Sequence, residues 1–319
     1  MSIYYICSEK FDYSQAICDD QGPAYARRQG WETVSLSDAQ SVVTKPHIFD
    51  NRLTLYELGF VERHVAANPK VPVFIKVVDP QLEAITQPYY QMLLHIVTRQ
   101  NVTLIGPYHE TGITALACKI SGRQIYHWVP YAYDIAREIQ LDIKSIEARV
   151  SKVLLTGALS PKVYPDRTRL VAARRRSIGC YRRTAHLRHP GCWDIGQEVR
   201  HNIVGDRFIQ HLSRYVAMWI DGREEGLELL KFCECAYAGC VPFGVAAKTL
   251  PIDAAKQIWD IPIGRESKTL KAGLSRAVDE LYDSAMRFRS AMRQSRKQDL
   301  WIQDVYTQWT ADRLRLAAV

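Results

Sequence analysis

A chain of 319 residues with 47% hydrophobic and 24% charged residues is long enough for two packed domains and too evenly composed for extended disorder. No apolar run approaches the length of a membrane span, and the opening MSIYYICSEKFDY has neither the basic start nor the apolar centre of a signal peptide, so a cytoplasmic protein is expected. The formal net charge of +8 is concentrated in two arginine-rich stretches, which favours an anionic partner: nucleic acid, an anionic membrane surface or a phosphorylated ligand.

From the N terminus, strand-like runs alternate with helical ones. SIYYICS, WETVSL and PHIFDN come first, then the helical YELGFVERHVAAN, VPVFIKVVD, a helix across LEAITQPYYQMLLHIVTR, NVTLIG, a helix over ITALACKI, and RQIYHWV. That order implies a parallel sheet covered by helices. Ligands of such sheets bind at the carboxyl ends of the strands, which here carry Asp50, Asp79 and the loop GPYHETG. None of these is a GxGxxG fingerprint.

The polar stretch YAYDIAREIQLDIKS leads into KVLLTG at 152–157, an abrupt apolar strand that reads as the start of a second domain. A basic helix follows Tyr164-Pro165; between Lys162 and Arg188 stand nine Lys or Arg residues and a single acid, Asp166. AHLRHPG, a helix over GDRFIQHL and the strand YVAMWI come next. LLKFCECAYAGCVPFG, residues 229–244, reads as a core-facing helix stopped by Gly239 and followed by a short strand. Lys231 and Glu234 are three apart, which sets an ammonium and a carboxylate on one face near the helix start, where phosphates and sugar hydroxyls are received. A surface ion pair is the alternative reading of that spacing.

Two long helices close the chain. The first places Leu274, Val278, Leu281, Ala285, Phe288 and Met292 on one face and carries the second basic group, Arg287, Arg289, Arg293, Arg296 and Lys297. The last, QDLWIQDVYTQWTADRLRLAAV, is aromatic-rich and amphipathic. The expected class is α/β, with two doubly wound Rossmann-like domains facing a central cleft. The boundaries fall at 1–128 for the first domain, 129–150 for a linker, 151–297 for the second domain and 298–319 for a closing helix. The eight cysteines show no paired CxxC knuckles and are expected as reduced, mostly buried thiols. Cys233, Cys235 and Cys240 with His211 have the residue types for zinc, but Cys233 and Cys235 are two apart on a helix and point in different directions, so no metal site is expected.

KVLLTGALSPKVYPDR, the HPG turn, GDRFIQHLSRYVAMWI and LLKFCECAYAGCVPFG, in that order and spacing over roughly residues 150–245, resemble the nucleotide-binding domain of GT-B fold glycosyltransferases. The likeness is greatest to the bacterial cell-surface group (glycosyltransferase group 1, family 4-like), in which a KxxEAxAxG-like helix follows a strand. The resemblance implies a hexosyltransferase-like enzyme that moves a sugar from a nucleotide-sugar to a glycan or lipid-linked envelope acceptor in polysaccharide biosynthesis, with no cofactor beyond that donor. It also implies a closing helix that crosses back to the N-terminal, acceptor-side domain. In that family the helix glutamate accepts the ribose hydroxyls, and Glu234 is the matching position; Lys231 would face the diphosphate and Gly239 would serve as a C-cap. Gly157 begins the loop that approaches the diphosphate, and Lys162 and Arg167 are candidate phosphate cations. A general base is expected on the N-terminal domain among His109, Glu110 and Asp79. No Asp-x-Asp metal clamp is apparent, so metal-independent transfer is expected, with cations and a helix N-terminus neutralising the departing diphosphate.

The chain departs from the pattern at position 226. Many retaining members carry a second glutamate eight residues before the helix glutamate; here stands Gly226, with Glu224 and Glu225 just upstream. A catalytically inactive GT-B subunit that binds nucleotide or glycan is therefore the alternative. Nucleic-acid binding through residues 167–188 is the third and least favoured class, since Tyr181 is there without an aromatic platform or a recognition-module signature. The basic clusters would bring a cytoplasmic enzyme to an anionic membrane as a peripheral protein of its inner face.

Overall fold

The computed structural model describes residues 3–7, 26, 30–38, 45–49, 53–77, 87–106, 112–123, 126–127, 133–191, 198, 200–222, 226, 228–296, 307–308 and 310–311. They divide into two compact units, one holding the residues up to His127 together with 307–308 and 310–311, the other running from Tyr133 to Arg296.

The first unit is built on a parallel sheet of strands β1 (Tyr4–Cys7), β2 (Glu32–Ser35), β3 (His47–Phe49), β4 (Val73–Lys76), β5 (Val102–Gly106) and β6 (Tyr126–His127), in the order β2-β1-β3-β4-β5-β6. β4 and β5 are buried along their whole length, which is why their sequences are near-continuous apolar runs. Helix α1 (Leu55–Ala67) starts at a capping box: the Thr54 hydroxyl accepts the Glu57 N–H, and the Glu57 carboxylate accepts the Thr54 N–H. Its Leu58, Val61 and Val65 face the sheet core. Helix α2 (Pro88–Ile96) starts behind an extended Gln87, with Pro88, which has no N–H to give a helix interior, in its first turn; α3 (Gly112–Ser121) follows β5.

The second unit holds the parallel sheet β10-β9-β7-β8, from β7 (Val150–Gly157), β8 (Thr184–Arg188), β9 (Tyr215–Ile220) and β10 (Val241–Gly244). Its helices are α4 (Ile135–Gln140), α5 (Pro165–Arg176), α6 (Ile178–Arg183), α7 (Gly205–Leu212), α8 (Lys231–Ala238), α9 (Ile252–Ala255), α10 (Glu266–Leu274) and α11 (Val278–Ser295). Alternate strand residues fill two cores. Leu154, Met218 and Ile220 meet Phe208, Phe232, Ala236, Phe288 and Met292 on one face, while Val153, Leu155, Trp219 and Phe243 meet Leu170, Val171, Leu270 and Leu281 on the other. From β7 the chain goes to β8 on one side and then to β9 on the other, so the winding reverses at β7/β9, and a crevice for ligands is expected at the carboxyl ends of these two strands.

Several boundaries differ from the sequence reading. The basic helix breaks at Ser177, whose backbone is extended and whose hydroxyl accepts the Cys180 N–H, so the arginine run is two helices meeting at a corner. Residues 133–148, read from sequence as linker, are packed into the second unit. The Tyr133 ring stacks on Tyr237 with centroids 4.3 Å apart, Arg137 binds Asp206 at 2.6 Å, and Leu141 and Ile146 are buried. Gly239 ends α8 in the left-handed region at φ 58°, as expected of its C-cap. Among the described residues no helix is long and apolar enough to cross a membrane. The closing helix at 298–319 lies almost wholly outside them.

Candidate functional site

At the carboxyl edge of the second sheet, β7 ends in Gly157, β8 runs into His189, β9 runs into Asp221, and α8 opens with Lys231. Gly157 has φ +103°, and a Cβ placed on it would lie 2.4 Å from Arg167 Nη1 and 2.9 Å from Lys231 Cε. Three of the residues singled out in the sequence, Gly157, Arg167 and Lys231, therefore meet at one point. The missing side chain makes room for two cations, where the sequence reading has it admit phosphate to the backbone.

Arg167, on the first turn of α5, is only 1% exposed. Its Nε donates to Asp221 Oδ1 at 3.1 Å, Nη2 donates to the same oxygen, and Nη1 donates to the Ala158 carbonyl at 3.1 Å. The Tyr164 ring covers the guanidinium, with 4.3 Å from Cζ to the ring centroid. Asp221 is buried as well, and its Oδ2 takes no hydrogen bond among the described residues. The pair forms the floor of the site: a guanidinium held from three sides under Gly157.

Lys231 is half-buried, with its ammonium 5.3 Å from the centroid of the Phe208 ring. Burial pulls its pKa down from 10.5 to about 8; the Glu234 and Asp221 carboxylates oppose that shift, and the Arg167 charge adds to it. Glu234, half-buried on the first turn of α8, is thus close enough to Lys231 for its field to be felt, in keeping with the three-residue spacing. The N-cap of α8 is Leu230, whose apolar side chain makes no capping hydrogen bond. His189 is held down to about 4, first by burial and then by the charges of Lys231, Arg200, His201 and Arg167. Its Nδ1 accepts the Gly191 N–H at 3.1 Å, which leaves the ring proton on Nε2. The edge therefore carries Lys231, Arg167 and Arg200 around a neutral His189, with Asp221 already committed to Arg167. The arrangement suits a compact dianion, which would offset the mutual repulsion of these cations.

In fold, the chain is similar to solved nucleotide-bound structures. It matches T4 phage BGT in complex with its UDP-glucose substrate with a TM-score of 0.58 at 11% identity, over 97% of this chain and 99% of that one. It matches HepE (Alr3699) of Anabaena with UDP at a TM-score of 0.53 and 9% identity, and with UDP-glucose at 0.57 and 10%; both cover 98% of this chain and 100% of the other. At these identities the likeness is one of fold, an α/β chain with parallel sheets, and it agrees with the fold that the sequence resemblance implied. No protein-family model and no curated protein matches the chain.

The other expected residues fall as follows. Lys162 is exposed in the turn before α5. Asp79, His109 and Glu110 lie outside the described residues, as do Glu224 and Glu225. Gly226, at the position where an acid is usual, has φ +76° and its carbonyl accepts the Lys248 N–H at 2.9 Å. The next carboxylate, Glu228, is buried against Arg296. Cys233, Cys235 and Cys240 are buried thiols that form no disulfide among the described residues and whose ionisation burial makes harder, and among the described residues no group of three or more His, Cys, Asp or Glu side chains is placed to hold a metal. Sequence reasoning missed Asp221 and treated His189 only as part of a turn. The available signal was position alone: each directly follows the last residue of a strand at the edge where such sheets bind ligands.

Proposed function

We propose that the chain is a GT-B glycosyltransferase that takes a nucleotide-diphosphate sugar, with UDP as the first nucleotide to test, and passes the sugar to a glycan or lipid-linked acceptor. The observation that carries the reading is the convergence of Lys231 and Arg167 at Gly157, beside His189, at the winding reversal of a fold shared with UDP-bound and UDP-glucose-bound proteins. In sugar transfer an acceptor oxygen bonds to the anomeric carbon, the carbon–phosphate oxygen bond breaks, and the nucleoside diphosphate leaves with its negative charge. Lys231, the N–H groups at the start of α8 and the His189 Nε2–H would meet that charge, while Arg167 and Asp221 hold the floor beneath them. Glu234 would accept the ribose hydroxyls. The acceptor proton would go to a general base among His109, Glu110 and Asp79. The reading takes the transfer as metal-independent, with Lys231 and the start of α8 facing the departing charge.

A thermal-shift and calorimetric panel of UDP, GDP, CMP and dTDP compounds with chelator present tests the reading, because a ligand of the folded state raises its melting temperature. Binding of at least one diphosphate, weakened in Lys231→Met, is expected. No shift across the whole panel would defeat the reading.

Gly226 supports a second reading, a subunit that binds nucleotide or glycan without transferring sugar. Glu228 is tied up with Arg296, so the nearest described carboxylate downstream does not replace the absent one. Slow hydrolysis of the bound nucleotide-sugar in the absence of acceptor favours the enzyme; tight binding with no turnover favours the subunit.

A further inference from the structure

The corner between α5 and α6 carries charge that the anion site does not use. α5 runs back from the carboxyl edge, so its 12 residues, at about 1.5 Å each, carry the chain roughly 18 Å to the amino edge of the sheet. There Arg175, Arg176 and Arg182 are exposed, around Ile178 at 73% exposure and Tyr181 at 56%. Ile178, Tyr181 and Arg182 are three and four positions apart and share one face of α6. Arg174 lies over the Tyr181 ring, 4.5 Å from its centroid. α10 packs against α6 and adds exposed Lys268 and Lys271, while its one carboxylate, Glu266, is held by Arg169 at 2.6 Å. An isoleucine and a tyrosine thus stand in a ring of cations, with no uncommitted acid on either helix.

We propose that the α5–α6 corner is a docking surface for an anionic phospholipid bilayer, with Ile178 and Tyr181 entering the headgroup layer and Arg175, Arg176 and Arg182 contacting lipid phosphates. The apolar pair decides between polyanions. Nucleic acid rewards the arginines and an open aromatic face, yet Arg174 covers Tyr181 and Ile178 has no role on a phosphate backbone; a bilayer rewards the cations and the apolar tips together. The corner lies at the opposite sheet edge from Gly157 and Lys231, so docking leaves the anion site open, and the inference stands whether or not the chain transfers sugar.

The test is co-sedimentation of the full chain with vesicles of phosphatidylcholine alone or with about one third phosphatidylglycerol, at about 0.1 M and higher salt. Binding to the anionic vesicles only, weakening with salt, is expected. Each arginine at a membrane surface is worth about fivefold in partition, so Arg175→Ala/Arg176→Ala/Arg182→Ala should lose about a hundredfold. Ile178→Ser should lose about tenfold with the salt slope unchanged. Arg287→Ala, on α11, should bind as wild type, and unchanged melting temperatures show that the variants are folded. Equal binding to neutral vesicles, binding to neither, or wild-type partition by the triple variant would overturn the proposal. Salt-sensitive binding of duplex DNA or RNA that the triple variant loses, without any vesicle binding, would reassign the surface to nucleic acid.

Discussion

On α11 and at its C-cap the described arginines of the late cluster are held by acceptors on neighbouring elements, Arg287 from an exposed position, whereas at the α5–α6 corner the run of arginines turns outward. Arg293 meets both oxygens of Glu138 at 2.6 and 2.7 Å, Arg289 donates to Glu138 and to the Ala236 and Tyr237 carbonyls, Arg287 reaches Gln257, and Arg296 is buried with Glu228. The acids of the helices that form and flank the corner, Asp166 at the far end of α5 and Glu266 on α10, both go to Arg169. Two basic stretches of similar appearance therefore differ in the carboxylates that neighbouring elements bring to them. A charge run in sequence marks a site only after these internal partners have been subtracted.

The largest separation should appear in stability. Arg296→Ala leaves Glu228 buried without its cation, a kind of loss that costs about 3–5 kcal/mol and lowers the melting temperature on the order of 10 °C in a domain of this size. Burial already raises the Glu228 pKa in the folded chain, and without Arg296 it rises further. A raised carboxyl pKa destabilises above the unfolded value, so the defect should be greatest at neutral pH and shrink as the pH falls into the carboxylate range. Arg167→Ala belongs with it, since Asp221 would be stranded in the same way. Arg175→Ala should leave melting unchanged. Equal shifts for Arg296→Ala and Arg175→Ala would erase the distinction between the clusters.

Next in size are the effects on binding. Lys231→Met should weaken nucleoside-diphosphate affinity by about ten- to a hundredfold, the range of charge-assisted hydrogen bonds, without loss of stability, because a partly desolvated ammonium is removed. Glu234→Ala should cost a similar or smaller factor in calorimetry and leave the fold intact. Unchanged affinity would return Glu234 to the surface ion-pair reading.

What was legible in the sequence was local. YVAMWI, GDRFIQHL, VPFG and the Gly239 stop fall where the sequence pattern puts them, because burial on one face or both imposes a short period on consecutive residues. The break at Ser177 was hidden, since the basic helix has no apolar stripe for a break to interrupt. At the site, Gly157, Arg167 and Lys231 came from strand ends and family resemblance, whereas Asp221 is a lone acid after a strand. Its pairing with Arg167, 54 positions away, depends on β9 lying beside β7, a matter of strand order that no local spacing encodes. The late arginines looked like free charge because Glu138, 155 positions from Arg293, lies in a stretch read as linker.

The smallest effect expected, and the one that places Lys231 between the paired and the outward cations, is a pH profile. Burial holds its pKa near 8 in the ligand-free chain, so the ammonium is charged at pH 7 and loses its proton through the next unit. Diphosphate affinity should be level up to about pH 8 and then fall by at most tenfold per unit, because one proton must be taken up to restore the contact. His189, held near 4, does not titrate there, and burial keeps the Cys233, Cys235 and Cys240 thiols protonated at that pH. Lys231→Arg should bind with a flat profile and Lys231→Met weakly with a flat profile. Stability should change with the opposite sign: between about 8 and 10.5 the unfolded lysine holds its proton while the folded one has lost it, so the wild type gains stability relative to Lys231→Met as the pH rises. Calorimetry in two buffers of different ionisation enthalpy reads the proton uptake directly. A wild-type affinity that stays level to pH 10 would remove Lys231 from the phosphates and leave His189 and Arg200 as the groups that hold them.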